Sequence, residues 1–143
     1  MSAPATCTVD IEVRYVETDQ MGVVHHANYI PWFEIARTRL CGDTGWRYAE
    51  IEELGYLLMV TAVQVKYRQG ARYGDTLQVT ARVDDVWSRG VSYTYEVRRE
   101  GTLLTTGRSE HVWIDRETRK PTRLPPELES AMERLAGADE PQT

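Results

Sequence analysis

The side chains best suited to chemistry stand in one short stretch that leads into a helix. Tyr15, Asp19, Gly22, His26 and Asn28 follow one another at short intervals, and Asp19 lies in a glycine-containing turn. A carboxylate in such a turn commonly bonds its own backbone. This turn, however, leads directly to a helix N-terminus, whose free N–H groups and positive dipole end can polarise a carbonyl or stabilise an oxyanion. The pattern therefore favours acyl transfer by a carboxylate.

Other catalytic patterns fit the sequence poorly. No G-x-S-x-G motif occurs, and the most similar stretch, residues 107–111 (GRSEH), is predicted to be part of a strand. Phosphate-binding glycine motifs are also missing. His25 and His26 are adjacent, so their side chains point in different directions, and His111 lies far along the chain. We therefore expect neither a serine nucleophile, nor a nucleotide fold, nor a metal site.

The composition and net charge limit the kinds of partner that this protein is expected to bind. The 143 residues carry 17 Lys and Arg against 22 Asp and Glu, a net charge of −5, which leaves no broad cationic field for nucleic acid or anionic membranes. Only two cysteines are present and the N-terminal residues lack a signal-peptide pattern. No apolar run approaches the length needed to span a bilayer. We expect a cytoplasmic protein that does not insert into membranes.

Hydrophobic periodicity predicts one α+β domain. Period-two alternation indicates strands at 9–15, 63–67, 77–83, 91–98 and 103–114, and three-to-four spacing indicates helices at about 28–40, 46–54 and 125–135. Ile30, Phe33, Arg37 and Leu40 mark the expected buried stripe of the long helix. Short turns between the later strands predict antiparallel hairpins. The domain is predicted to span 8–136, with flexible ends at 1–7 and 137–143.

At the helix entry the sequence resembles the hotdog-fold acyl-CoA thioesterases. The residues that carry the resemblance are Tyr15 and 18–40 (TDQMGVVHHANYIPWFEIARTRL), and the later strands follow in the family's order, so the match covers about Val9 to Pro125. The resemblance is to the 4-hydroxybenzoyl-CoA thioesterase family and its relatives associated with the Tol-Pal system. His25-His26 stands where the 4-hydroxybenzoyl branch has an aromatic pair, which brings the chain closer to the Tol-Pal branch.

The resemblance implies roles for four residues of this stretch. Asp19 matches the catalytic carboxylate, which either attacks the thioester carbonyl or activates water, and the sequence leaves both open. His26 is expected to offer its backbone N–H to the thioester oxygen, and its imidazole to help orient substrate or water. Tyr15 matches a tyrosine that accompanies this pair in the Tol-Pal relatives. Asn28 is expected to contact substrate.

The resemblance also implies an architecture and an assembly. A curved antiparallel sheet wraps around a long helix in this fold, and active sites form between two subunits of a dimer that is often paired into a tetramer. Arg89 is our candidate for the CoA phosphates, with Arg68 or Arg72 as alternatives. Met59 and Val60, in the apolar run at 57–60, line the acyl pocket or belong to the core.

Taken with the residues, the resemblance implies an acyl-CoA thioesterase that needs no cofactor and no metal. A second reading keeps the fold and changes the substrate to an aromatic CoA ester of the hydroxybenzoyl or dihydroxynaphthoyl type. A third reading is a hotdog domain that binds acyl-CoA without turnover.

Overall fold

Five strands and three α-helices make up residues 5–137, the part of the chain that this computed structural model describes. The strands are β1 (Thr6–Glu12), β2 (Tyr56–Tyr67), β3 (Thr76–Trp87), β4 (Gly90–Arg99) and β5 (Thr102–Asp115). The helices are α1 (Tyr29–Gly42), α2 (Tyr48–Glu53) and α3 (Pro126–Leu135). All the predicted elements are present, and the second strand is longer than its alternation indicated.

The strands form one antiparallel sheet in the order β1-β3-β4-β5-β2, so β2 pairs with β5 and not with β3. The expectation that successive strands form hairpins is therefore wrong for β2 and β3. The connection at 68–75 must pass across three strand spacings, about 14 Å. Its eight residues can span up to about 27 Å when extended, so the crossing is sterically easy. As a result, β1 and β2 are the two free edges of the sheet.

The long helix α1 packs against the sheet through one broad stripe. Its buried side chains are Tyr29, Trp32, Phe33, Ala36, Leu40 and Cys41, whereas Ile30, which was expected in the stripe, is 43% exposed. A Cβ at Gly107 of β5 would lie 2.7 Å from Phe33 Cζ, so only glycine lets the helix approach β5 this closely.

A chain of polar groups crosses the core beneath α1. Arg37 Nη1 donates to Tyr95 Oη at 3.2 Å, Tyr95 Oη lies 2.5 Å from Ser109 Oγ, and Ser109 Oγ lies 2.7 Å from His111 Nε2. The Arg37 guanidinium also sits over the Tyr93 ring, with Cζ 5.9 Å from the ring centroid. We call these five residues the Arg37 cluster. Burial, followed by the neighbouring Arg37 charge, lowers the pKa of His111 to about 4, so its imidazole is neutral at pH 7.

The domain begins earlier than predicted. Thr6 and Cys7 belong to β1 and pair with Arg82 and Ala81 of β3, because the sheet ladder continues beyond the apolar alternation. The backbone N–H groups of Ala5 and Gly137, also in the predicted flexible ends, donate to the carbonyls of Leu135 and Arg134. Residues 1–4 and 138–143 lie outside the described residues. No helix within 5–137 combines the length and the apolar character needed to cross a membrane.

Candidate active site

One buried carboxylate, that of Glu17, holds the segment between β1 and α1 in place. Its Oε1 accepts from the Arg14 backbone N–H at 2.8 Å, and its Oε2 accepts from the Arg14 guanidinium at 3.2 Å and from Trp32 Nε1 at 3.3 Å. The Glu17 carbonyl accepts from the His25 N–H and from Asn28 Nδ2, both at 2.8 Å. Because these donors come from both ends of the segment and from α1, Glu17 ties the loop to the helix.

The hydrogen bonds to Glu17 also set its ionisation. Burial by itself would raise the pKa of this carboxyl, but the bonds from Arg14 and Trp32 and the positive charge of Arg14 outweigh burial and lower the pKa below its ordinary value. Glu17 is therefore a charged structural group at neutral pH, and its oxygens are occupied.

Asp19 lies in a tight turn two residues after Glu17. Its Oδ1 accepts from the Met21 N–H at 2.9 Å, and its carbonyl accepts from the Gly22 N–H at 2.9 Å. Gly22 has a φ of +82°, which a side chain would strain. Within residues 5–137 no hydrogen-bond partner is assigned to Asp19 Oδ2. One carboxylate oxygen therefore stabilises the turn, and the other remains able to act on a substrate.

The helix entry begins at a 3₁₀ turn, His26–Asn28, that runs into α1. His25 Nδ1 accepts from the Ala27 N–H at 3.2 Å, and the imidazoles of His25 and His26 stack with centroids 4.2 Å apart. In the part of the chain that is described, no acceptor is assigned to the His26 N–H. This N–H lies at the positive end of the helix dipole, where it can bind a carbonyl oxygen or an oxyanion.

A surface groove brings Asp19 and His26 together. Its other walls come from Val23 and Val24 of the loop, Tyr29 of α1, and the end of β2 with the residues after it, at Tyr67–Gly70. Tyr67 Oη donates to the His26 carbonyl at 2.8 Å and therefore fixes the helix entry from the sheet side. The groove thus combines a carboxylate, a helix N-terminus and partly apolar walls.

Tyr15 and Asn28, also predicted at the site, lie outside this groove in the single chain. Tyr15 is 76% exposed and its ring packs edge-on against Tyr73, with centroids 5.7 Å apart. Asn28 donates to the Glu17 carbonyl, so it positions the loop. The structure brings together the two residues with the most specific predicted roles, Asp19 and His26.

Met59 and Val60, the predicted pocket residues, are in the first half of β2. Paired residues of antiparallel strands point to the same face, and Val60 pairs with the buried His111, whereas Met59 pairs with Val112. Val60 therefore faces α1 and Met59 faces the other side of the sheet. Both are about half exposed, at 49% and 48%. Only Val60 lies on the groove's side of the sheet.

Arg89, the predicted CoA-phosphate residue, lies at the same end of the sheet as the start of β2. It precedes Gly90, which is in register with Val112 of β5, and Val112 is in register with Met59. From Met59 to Tyr67 the strand runs about 26 Å. Arg89 is thus remote from Asp19 within one chain, whereas Arg68 lines the groove.

Sequence reasoning missed Glu17 and Tyr67. Glu17 is a charged residue among other polar residues of a loop, and nothing in the spacing marks it as buried. Tyr67 fits the strand alternation, but only the crossing of the sheet brings its hydroxyl to the helix entry. Throughout 5–137 no group of three or more His, Cys, Asp or Glu side chains is arranged to hold a metal ion.

Comparisons with known proteins place this geometry in a family. Residues 13–132 match the model of the thioesterase-like superfamily. The putative acyl-CoA thioesterase YneP of Bacillus subtilis is 38% identical over 80% of this chain and 84% of its own length. The acyl-CoA thioesterase YbgC of Haemophilus influenzae is 27% identical over 87% of this chain and 93% of its own length.

A solved structure agrees. The DHNA-CoA thioesterase of Staphylococcus aureus superposes with a TM-score of 0.87 at 35% identity, covering 93% of this chain and 92% of that one. The predicted α+β hotdog fold is confirmed. With the match over 13–132 and the relative at 38% identity, the chain belongs to the thioesterase-like superfamily.

Proposed function

We propose that this protein hydrolyses the thioester of an acyl-CoA to a free acid and CoA, with Asp19 as the catalytic carboxylate. The observation that carries the proposal is the groove in which Asp19 Oδ2 and the His26 N–H both lack a protein partner among residues 5–137. The names of its relatives, acyl-CoA thioesterases in B. subtilis and H. influenzae, support the same reaction.

The proposed chemistry needs little beyond this pair of groups. The thioester oxygen accepts from the His26 N–H, and the helix dipole stabilises the negative charge that develops on it. Asp19 then either attacks the carbonyl carbon, giving an acyl anhydride that water cleaves, or takes a proton from an attacking water. In both routes the C–S bond breaks and CoA leaves as a thiolate. Since a thiolate is a good leaving group, no strong general acid and no cofactor are required.

We also propose that the working unit contains two copies paired along β2. This free edge exposes Met59, Val60, Val63 and Tyr67, at 37% to 49% each, and the outer face of α1 exposes Ile30 and Ile35. A long apolar free edge is a ready surface for pairing with another strand. The site would then form at the boundary of two chains, as the resemblance implies, and two such dimers could form a tetramer.

The register of that pairing follows from the faces of β2. The residues that face α1 are Tyr56, Leu58, Val60, Val63, Val65 and Tyr67. In a two-fold antiparallel pair all twelve residues are matched when Tyr56 of one copy lies opposite Tyr67 of the other. This register also sets Val60 opposite Val63, so that inward-facing residues meet inward-facing residues.

The pairing bears on the predicted CoA contacts. Since Arg89 is at the Met59 end of the sheet, the second copy's Arg89 would lie at the Tyr67 end, beside the Asp19 groove. We propose that Arg68 of one chain and Arg89 of the other supply the local positive charge for the CoA phosphates. The two cysteines of the described residues are unpaired, which fits a reducing, cytoplasmic setting.

An aromatic CoA ester is the second candidate substrate. The observation in its favour is the S. aureus relative, which is described as a DHNA-CoA thioesterase and shares 35% identity with this chain. The Tol-Pal-associated branch stays a prediction beside it. The third candidate, a domain that binds acyl-CoA without turnover, would give a thermal shift with CoA esters and release no thiol.

The test is thiol release from a panel of aliphatic and aromatic acyl-CoA esters. Wild-type protein should hydrolyse at least one ester, and Asp19→Asn should reduce kcat by about a thousandfold or more, as expected when a nucleophile or base is removed. The amide keeps the bond from Met21 and therefore the turn. Gln20→Asn, in the same exposed turn, is the matched control. Retained activity in Asp19→Asn would show that another group carries the chemistry.

A further inference from the structure

The candidate oxyanion N–H, that of His26, belongs to the 3₁₀ turn at the entry of α1. The turn is closed by the Asn28 N–H, which donates to the His25 carbonyl at 3.0 Å. A turn closed by this bond can adopt more than one form, and the forms differ in the orientation of the central peptide. Here the central peptide joins His26 to Ala27, so the geometry of the turn depends on what the carbonyl and the N–H of this peptide contact.

Side chains bind both polar groups of this central peptide. Its N–H, that of Ala27, donates to His25 Nδ1 at 3.2 Å, and its carbonyl, that of His26, accepts from Tyr67 Oη at 2.8 Å. The two polar groups of a planar trans peptide point in opposite directions, so the peptide is held from two sides. His25 lies within the turn itself, whereas Tyr67 lies at the end of β2.

His25 contributes an acceptor lone pair to the turn. Nδ1 can accept only when it carries no hydrogen, so this bond requires the neutral ring with its hydrogen on Nε2. A helix start leaves several backbone N–H groups without partners, and an N-cap side chain satisfies one of them. Here the cap occupies the Ala27 N–H. The His26 N–H, to which no acceptor is assigned within residues 5–137, is left for a substrate.

Tyr67 connects two walls of the Asp19 groove, because it belongs to the sheet and its hydroxyl binds the backbone of the helix entry. Its ring lies edge-on to those of Tyr29 and His26, with centroids 5.4 Å and 6.4 Å apart. The side chain is about half exposed, at 48%, so its replacement by Phe should keep the ring contacts and the fold. Such a change isolates the contribution of the hydrogen bond.

We propose that His25 and Tyr67 are positioning residues which, by holding the central peptide, aim the His26 N–H at the thioester oxygen. The inference rests on the thioesterase function proposed above, and it adds two side chains that touch no reacting atom. A misplaced N–H would weaken the bond to the developing oxyanion more than the binding of the ester, since the negative charge appears only in the transition state. Loss of either contact should therefore lower kcat and leave KM nearly unchanged.

The first test removes each contact alone in the full chain, with the panel ester that wild type hydrolyses fastest. Tyr67→Phe deletes the hydroxyl and His25→Ala deletes the acceptor, and each should lower kcat about fivefold or more while KM stays within about twofold. Tyr73→Phe is the matched control, because Tyr73 is 65% exposed and no hydrogen bond of its hydroxyl is assigned within 5–137. It should change neither constant. A raised KM with an unchanged kcat in the two test variants would overturn the inference.

The second test separates the His25 acceptor from the rest of the imidazole. An asparagine at the N-cap can accept from the Ala27 N–H through its side-chain oxygen. The stacking of His25 on His26, with centroids 4.2 Å apart, is lost in both His25→Ala and His25→Asn. We expect His25→Asn to restore kcat to within about twofold of wild type. If it is as slow as His25→Ala, Nδ1 does not have the proposed role.

A double variant tests whether the two side chains act on one peptide. If they do, the loss of kcat in Tyr67→Phe with His25→Ala should differ from the product of the two single losses, because each contact changes what the other holds. A simple product would show that His25 and Tyr67 act independently and would overturn their shared role.

The stretching frequency of the bound thioester carbonyl reports on the His26 N–H without turnover. Asp19→Asn protein should bind the isotope-labelled panel ester without hydrolysing it, and the hydrogen bond should lower the carbonyl frequency in infrared difference spectra. Adding Tyr67→Phe should move the frequency back toward that of the free ester, whereas adding Tyr73→Phe should not. An unchanged frequency would overturn the inference. Hydrolysis by wild type at the same rate as by both test variants would overturn this inference alone, whereas absence of all hydrolysis would overturn the thioesterase function and this inference with it.

Discussion

Glu17 and Asp19, which lie two residues apart in the loop before α1, have different roles. Glu17 is 7% exposed and accepts hydrogen bonds from Arg14 and Trp32, so it is committed to the structure. Asp19 is partly exposed, and one of its oxygens has no assigned partner within 5–137. Burial and hydrogen bonding, not the type of side chain, thus separate the structural acid from the candidate catalytic one.

Replacement of Glu17 tests its structural assignment. Glu17→Gln should lower the free energy of unfolding by about 1–2 kcal/mol, because charge-assisted hydrogen bonds are replaced by weaker ones. It should also lower kcat/KM several-fold through movement of the Asp19 loop, while Glu53→Gln, at an exposed site on α2, should change neither. Chemical denaturation and thiol release measure the two effects.

The same variant has a signature in pH. Because the folded-state pKa of Glu17 is below its ordinary value of 4.5, its stabilisation is present above pH 4.5 and is lost as the pH falls through the folded-state pKa. The stability difference between wild type and Glu17→Gln should therefore shrink on acidification below about pH 4.5. A difference that is constant with pH would mean that the charge of Glu17 does not contribute.

At the residue scale, the sequence was sufficient to predict that Asp19 and His26 lie in one groove, and insufficient for the residues that support them, while the catalytic roles of the two stay predictions. The glycine turn and the helix start are local, so spacing alone places these two residues together. Glu17 and Tyr67 act through contacts with residues that are distant in sequence, Trp32 and His26 respectively. Such contacts leave no periodic signal in the chain.

At the scale of elements, the distance between α1 and β5 depends on one glycine. Gly107→Ala would place a methyl group against the Phe33 ring, whose Cζ is 2.7 Å from the Cβ position, and Phe33 is itself stacked on Tyr95 at 4.3 Å. We expect a loss of about 1–3 kcal/mol in the free energy of unfolding, typical of an overpacked core. Phe33→Leu should recover part of this loss in the double variant, as a double-mutant cycle would reveal.

The Arg37 cluster, which joins α1 to β4 and β5, should make the fold sensitive to mild acid. His111 is fully buried with a pKa of about 4, whereas an unfolded chain binds the proton near pH 6.5. Stability from this group is therefore present at neutral pH and falls as the pH drops from 6.5 toward 4, by up to about 1.4 kcal/mol per pH unit. His111→Gln should flatten this dependence in urea denaturation.

The elements themselves were largely predictable, and their pairing was not. Alternation and helical spacing locate all five strands and the three helices, because each pattern reflects burial of one face. Which strand pairs with which depends on the course of the connections. The eight-residue segment at 68–75 resembles a hairpin loop in composition, yet it carries the chain across the sheet, so that β2 becomes an edge.

At the scale of the whole molecule, the free edge at β2 favours the pairing of two copies. A chain of 143 residues is large enough for one domain, but its longest free strand exposes an apolar row that another copy can cover. If two copies pair, part of the surface of each active site comes from the other chain. Arginines of both chains then offset the acidic net charge of −5 near the CoA phosphates. The assembly is therefore a precondition for activity in this scheme.

Charged substitutions on β2 test the assembly and its register together. In the proposed register Val60 lies opposite Val63 of the second copy, so Val60→Lys and Val63→Glu each place an unpaired charge in the interface. Each variant alone should weaken dimerisation by about a hundredfold or more, since an unpaired charge at an interface costs roughly 3 kcal/mol. Mixed in equal amounts, the two variants should form a heterodimer in which lysine faces glutamate. Sedimentation velocity measures the masses, and thiol release should recover with the heterodimer. A wild-type protein that sediments as a monomer, or a mixture that gives no heterodimer, would show that β2 does not pair in this way.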